Sequence, residues 1–515
     1  MKYKIILTLA LVFIFSASCD ESILEKSNPN ELSTETFFAD ANQAIAATNA
    51  IYASLQTTGL WTREYFFTHD LLSDENFGLG SLEAQRRQVL EHGFDAGNSV
   101  LSLMWQGLYR GINRANLVDN SIPEMEEGSI DPELANRLLG EARFLRALFY
   151  FELVSLWGDV PFLTEVATNA EGNGRTNIEE IYNLIFEDLN FAEQYLLEKG
   201  EYDNEDIGRA TVGAAQGLKG KIYLWRGNYP EAETEFAKVI TSNNYSLVNE
   251  YTDNFTAENE NNDESLFEVQ FTLDFGGGNR WSGDGNGIAE VTFRGQEYGF
   301  KAWRNVIPSE ELKSEFEADD PRFGYSFYGP GDSYNNGTDT IYTPTVYPPP
   351  AGVDPTTPDD LESWRKYQNY YNRENEVSQQ SGINFRVLRF ADILLMQAEV
   401  KNELDKPQEA IDLLNQVRGR PSVDMPLYDT PEMDGRGFPV GTKDQIFDAI
   451  VHERIVELNG EQIRNRDIRR WRRDDKLDEE PISSYNPNRH GLLPIPTAEI
   501  DANPMLTTED QNSGY

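Results

Sequence analysis

One cysteine, four histidines and 44 lysines plus arginines are all that this 515-residue chain has of three chemically useful groups. A single thiol, Cys19, cannot close an internal disulfide, so no cross-linked framework supports the fold. His69, His92, His452 and His490 are scattered, and neither HExxH nor a paired-cysteine zinc spacing occurs. Against the 44 cations stand 87 aspartates and glutamates, for a formal charge of −43. A field of that sign repels nucleic acid unless a local basic patch overrides it, so no nucleic-acid partner is expected. After the first residues, no apolar run reaches bilayer-spanning length.

Catalytic patterns are also missing. The glycine-rich stretches "GGG" (276–278) and "GDGNG" (283–287) are not followed by a helix carrying Lys-Ser/Thr, which discounts a phosphate loop. A glycosidase needs two carboxylates at a set separation. With 87 acids, neighbours such as Asp74-Glu75 arise by chance, and no enzyme is expected. Oxygen-rich "ENENNDE" (258–264) and "GDGNG" could take calcium, but neither has EF-hand spacing. Solvated loop is the better reading, and no cofactor is expected.

The lone thiol is explained by its position. In "MKYKIILTLALVFIFSASC", Lys2 and Lys4 precede an apolar run, and Ser16, Ala17 and Ser18 lead into Cys19. This is a secretory signal layout, and a cysteine just after the small residues resembles a bacterial lipobox. Residues 1–18 then read as a signal peptide and Cys19 as the acylated first residue, held to a membrane by several buried chains. The alternative is an ordinary signal with an incidental cysteine.

Helical patterning dominates the remainder of the chain. Residues 133–156 place Leu138, Ala142, Leu145 and Phe149 on one face, and Gly158 and Pro161 end the helix. Thr176 and Glu179 form a capping-box pattern before a stripe of Ile181, Ile185, Leu189, Ala192 and Leu196. Residues 209–240 carry small Ala214, Ala215, Gly217 and Gly220, a Gly227-Asn228 turn and Pro230. This predicts two antiparallel helices of tetratricopeptide type. Residues 389–420 repeat the arrangement around Pro407. The chain therefore reads as one mainly α body over 19–515. A helical-repeat scaffold at about 40–240 and 386–475 is interrupted by a loop-rich insertion at about 241–385. "LFEVQFTL" predicts a strand inside that insertion, and "YTPTVYPPPAGVDPTTPDD" an exposed proline-rich loop. The basic cluster "RNRDIRRWRR" (464–473) predicts an ion network with Glu453, Glu457 and Glu461.

Several motifs, in order, resemble those of the SusD/RagB family of surface lipoproteins. They are "EARFLRALFYFELVSLWGDVPF", "RATVGAAQGLKGKIYL", "RFADILLMQAEVKNEL", "ERIVELNGEQIRNRDIRRW" and "LLPIPTAEIDANPMLTTEDQNSGY". The chain departs from the family pattern at Gln462, where glycine is usual, and at Asn465, where tryptophan is usual. The resemblance implies glycan binding at the outer surface of the outer membrane. It also implies a partner, a TonB-dependent transporter of the SusC type over which the protein sits as a lid. A helical scaffold for a protein or peptide partner is the competing reading.

Sugar recognition needs flat aromatic faces and planar polar groups. Trp105, Trp157, Trp225 and Trp471 fall in helical motifs and read as core. Trp61, Trp281, Trp303 and Trp364 do not. Trp281, with Asn279, Arg280 and Asp284, lies on a glycine-rich tip. Trp61 shares an early segment with Asp74, Asn76 and Phe77, a region that contributes to glycan sites in the resembled family. Together with Trp303, these are the expected glycan contacts. The negative charge favours a neutral glycan, because no local basic site is evident.

Overall fold

Asp40 opens helix α1 (Ala41–Leu55), its side chain accepting from the Gln43 amide. The computed structural model describes residues 38–166, 172–273, 290–341, 362–373 and 380–515. Cys19, Asn279, Arg280, Trp281 and Asp284 lie outside the described residues. After α1 come α2 (Glu64–Leu71), β1 (Asn76–Gly78), α3 (Ala84–Leu90), α4 (Ser99–Ser121), α5 (Pro132–Trp157), α6 (Ile178–Tyr195), α7 (Val212–Trp225) and α8 (Tyr229–Thr241). A stretch of short elements contains β2 (Ser265–Val269) and β3 (Val306–Pro308). Then come β4 (Phe385–Arg389), α9 (Phe390–Glu403), α10 (Pro407–Arg418), α11 (Lys443–Leu458) and α12 (Arg464–Arg473). The fold is mainly α, as the periodicity predicts.

Helix α5 shows why. Asp131 caps it through the Glu133 and Leu134 amides, Pro132 presets its first turn, and Gly158 ends it at φ 74°. From Leu138 to Trp157 every side chain but Arg143 is buried, so α5 is a central post, not a surface helix. The charges buried with it are paired. Glu141 meets Arg209 at 2.8 Å, Arg146 meets Asp188 at 2.7 Å, and Glu152 meets Arg466. Trp157 donates from Nε1 to the Pro494 carbonyl at 2.9 Å, tying α5 to the C-terminal segment.

The capping box expected at Thr176 is absent. Thr176 is committed to a short antiparallel pairing with Val160, and the cap moves to Asn177, which accepts from the Glu179 amide. The two helical pairs form as expected, α7 with α8 and α9 with α10. α8 also packs on α9, so the pairs are neighbours despite the insertion between them. The small residues of α7 permit this. A Cβ on Gly220 would fall 2.6 Å from the Phe236 ring, and one on Gly217 would fall 2.9 Å from Leu266 of β2. The insertion is tied at its ends, where β2 pairs antiparallel with β4, Val269 opposite Phe385.

The ion network exists with different partners. Glu457 accepts from Arg389 and Arg420 at 2.8 Å each and from Arg322 at 3.1 Å. Glu453 meets Arg322 and Arg418, and Glu461 meets Arg389 and Lys366. The chain reverses after α11 through Gly460 and Gln462, both at positive φ. The arginines of α12 therefore face other acids: Arg464 meets Asp74, Arg466 meets Glu152, and Arg470 meets Glu399.

The tryptophan assignment needs three corrections. Trp105, Trp157 and Trp471 are buried as expected. Trp225 is only half-buried, edge-on to Phe151 with the Arg473 guanidinium over its face. Trp61 and Trp364, outside any helical stripe, are nevertheless core. Trp61 stacks on Tyr65 with ring centroids 4.5 Å apart. Trp364 lies against Gly460, where a Cβ would fall 2.6 Å from its ring.

Candidate functional site

Phe77 and Trp303 are the two Phe or Trp side chains that the described residues leave exposed, at 56% and 42%. They lie far apart in sequence, and backbone pairing brings their segments together. β1 pairs antiparallel with β3, Phe77 opposite Ile307. Alternation along β1 buries Asn76 and Gly78 and turns Phe77 outward. Beyond the strand, the Leu79 amide donates to the Asn305 carbonyl at 3.0 Å, and the Ser81 hydroxyl donates to the Trp303 carbonyl at 3.3 Å.

The loop bearing Trp303 is held from beneath. The Trp303 amide donates to the Gln296 carbonyl and the Asn305 amide to that of Glu297. The Glu297 carboxylate is buried, accepting from Arg63 at 2.5 Å and from the Asn305 amide group at 2.5 Å. Phe300, Tyr328, Tyr334 and Tyr370 form a small separate core below the loop, with the Phe300 and Tyr370 rings 4.3 Å apart. Arg304 follows Trp303 at φ 49°, a left-handed turn that brings the chain back into β3. Such footing holds an aromatic face in place, as ligand stacking requires.

The other expected contacts have structural work. Trp61 is fully buried and offers no face to a ligand, so it is removed from the site. Asn76 is buried, and its carbonyl oxygen accepts from Trp364 Nε1 at 3.0 Å. This is also a correction: Asn76 anchors a core ring instead of meeting solvent. Asp74 is clamped by Arg464 through two bonds of 2.8 and 2.6 Å, and its backbone carbonyl takes the Ser309 hydroxyl. It fixes α12 to the strand edge. Ser81 and Asn305, which position Trp303, carry no local sequence signal, because their roles exist only once β1 meets β3.

Behind β1 lies a buried acidic group. Burial pushes the Asp70 carboxyl upward against the pull of Arg294, and Tyr298 donates to it at 2.6 Å. Burial, with Asp70 and Asp74 nearby, raises Glu75 well above the usual carboxylate range. Both groups are buried and do not reach the surface. Among the acids of 258–264, Glu264 pairs with Arg389 and Arg420, and Glu258 accepts from Tyr371 and Asn372. Among the described residues no group of three or more His, Cys, Asp or Glu is placed to hold a metal.

Residues 230–515 match the SusD family model, and residues 22–224 match a model described as "starch-binding associating with outer membrane". The chain is 27% identical to "SusD-like protein P25" of Formosa agariphila over the full length of both. Over 29% of its length it is 30% identical to "Starch-binding protein SusD" of Bacteroides thetaiotaomicron, covering 27% of that protein. A laminarin-binding SusD-like protein shares the fold at TM-score 0.75 and 24% identity, covering 93% of this chain and all of that one. A SusD superfamily protein from Bacteroides vulgatus has the same TM-score at 23% identity, again over 93% of this chain and all of the other. With more than half its length matched by one family model, across the insertion and the second helical pair, this chain belongs to the SusD family.

Proposed function

We propose that this protein is a non-catalytic glycan-binding lipoprotein of the outer membrane. It is anchored through an acylated Cys19 and passes captured oligosaccharide to a TonB-dependent transporter of the SusC type. The observation that carries the reading is the exposure of Phe77 and Trp303 on a paired strand and a braced loop whose backbones meet. A pyranose presents a C–H surface that stacks on such rings, and each contact contributes about 1 kcal/mol. The names of the relatives, starch-binding and laminarin-binding among them, support a saccharide ligand. Trp281, with Asn279, Arg280 and Asp284, remains part of the proposed set of glycan contacts on the sequence reading alone.

Affinity electrophoresis over a panel of polysaccharides tests this. The native protein should be retarded by one class of glycan. Phe77→Ala and Trp303→Ala should each weaken that retardation about tenfold, the equivalent of ~1.4 kcal/mol, with unchanged melting. Retardation unaffected by either substitution would place the site elsewhere. A protein that ignores every glycan but retains a peptide partner would support the scaffold reading.

A further inference from the structure

The basic cluster of α12 is not fully consumed by its ion pairs. On the side of α12 facing the end of α5, a cleft of about 690 Å³ is lined by Arg175, Arg469, Arg472 and Arg473, with Trp225 and Tyr485 as flat walls. Four arginines in one lining are unexpected in a chain of charge −43, and Asp159 is the one acid among the lining residues. Asp159 accepts from the Ile178 amide in the first turn of α6.

The four arginines fall into two kinds. Arg472 and Arg473 meet acids outside the lining, Glu480 at 2.6 Å and Asp474 at 2.7 Å. Each is a two-bond pair, and the more exposed of them, Arg473 with Asp474, is the weaker hold. Arg469 and Arg175 hold neutral oxygens in their hydrogen bonds. Arg469 donates to the Gly491 carbonyl at 2.8 Å and to Ser155 and Leu156 at the end of α5 at 3.4 Å. Its Nε is buried without a hydrogen-bond partner. Arg175 donates to the carbonyls of Asp159 and Asp510 and to the Asn512 side chain. Burial, with Arg472 and Arg466 nearby, pushes the Arg469 guanidinium down to about 10. The carbonyl end of α5 would by itself repel an anion, and Arg469 covers it.

We propose that this cleft is a second saccharide site, one that takes the carboxylate or sulfate of an acidic sugar. The proposal rests on the glycan-binding reading of the chain. The Arg472 guanidinium lies 3.5 Å from the centre of the Tyr485 ring and that of Arg473 lies 5.3 Å from the centre of the Trp225 ring. Each cation is thus braced on a ring at the wall of the cleft, which holds it in place for a sugar's acidic group. The volume lies in the range of ligand pockets. The sequence favours a wholly neutral ligand because it shows no local basic site, and folding assembles one.

Calorimetry at low ionic strength with oligogalacturonate and with a sulfated κ-carrageenan oligosaccharide tests the assignment and separates carboxylate from sulfate. The native protein should bind at least one, more weakly as salt is added. Arg472→Gln/Arg473→Gln should weaken that binding tenfold or more, while Trp303→Ala leaves it intact. Should the double variant fold poorly, Arg473→Gln alone, whose side chain is 43% exposed, should show the same direction of loss. Binding of neither oligosaccharide, or equal binding by the arginine variants, overturns the site. Loss confined to Trp303→Ala also overturns it while supporting the Phe77–Trp303 face. Failure at that face alone leaves the cleft result standing.

Discussion

Gln462 donates from Nε2 to both carboxylate oxygens of Asp70, at 2.9 Å each, from a backbone held at φ 59°. Glycine, usual here in the family, adopts that conformation without strain. Glutamine adds a partner for a buried acid in return.

That relationship predicts a pH-dependent defect in Gln462→Glu. The substitution sets a second carboxyl against Asp70 and should cost roughly 2 kcal/mol or more at neutral pH. Because burial already raises Asp70, acidification should protonate one of the two acids and restore a hydrogen bond. Urea unfolding at pH 7 and pH 5 should show the deficit shrinking. A deficit equal at both values would contradict the arrangement.

A second prediction concerns acid stability. Burial opposes ionisation of Glu457, but Arg420, Arg389 and Arg322 overcome it and hold its carboxyl down to about 2. Asp392 is held at about 2 in the same way, by Lys221 and Arg454. For acids depressed on folding, the stabilisation is complete above the unfolded value and is lost as pH falls through the folded one. Stability should therefore decline between about pH 4.5 and pH 2. Glu457→Gln should flatten that decline and cost roughly 3–5 kcal/mol at neutral pH by leaving buried arginines uncompensated. A parallel acid limb in both proteins would show that Glu457 is not the group responsible.

The third prediction compares two rings. Trp157 is fully buried and bonded to Pro494, so Trp157→Ala should cost about 3–5 kcal/mol. Trp225 is half-buried, and its removal should cost less than about 2 kcal/mol on the area left uncovered. Equal melting losses would contradict the difference in burial.

The fourth concerns attachment. Cys19→Ala should move the protein from the membrane fraction to the soluble one or leave an unprocessed precursor, and should abolish acyl labelling. Unchanged fractionation and labelling would remove Cys19 from the anchor.

Helices were legible where the signal is local. The stripe through Leu138, Leu145 and Phe149 sets α5, and the small residues around Gly220 set the α7–α8 crossing, because both follow from spacing on one helix. Long-range pairing was not legible. Thr176 has the sequence of a cap, but its backbone is taken by Val160. Trp364 lacks a stripe because it is buried by segments remote in sequence, opposite Phe327 and against Gly460, whereas Trp61 stacks on Tyr65 from the turn before α2. Within the site, Phe77 and Trp303 could be named individually, while the approach of their segments depends on the β1–β3 register. The arginines of α12 were visible as a cluster, but their division between Glu152, Glu399, Asp74 and an open cleft depends on the reversal at Gly460 and Gln462.

The pairing of β2 with β4 has a consequence for how such proteins diversify. With Val269 opposite Phe385, the polypeptide leaves the helical frame and returns to it at one address. Loops between those two positions can change length without altering the distance the frame must bridge, provided that Arg322, Trp364 and Lys366 still return to Glu457, Asn76 and Glu461. A transplant cut at Val269 and Phe385 therefore has to carry those three buried anchors with it.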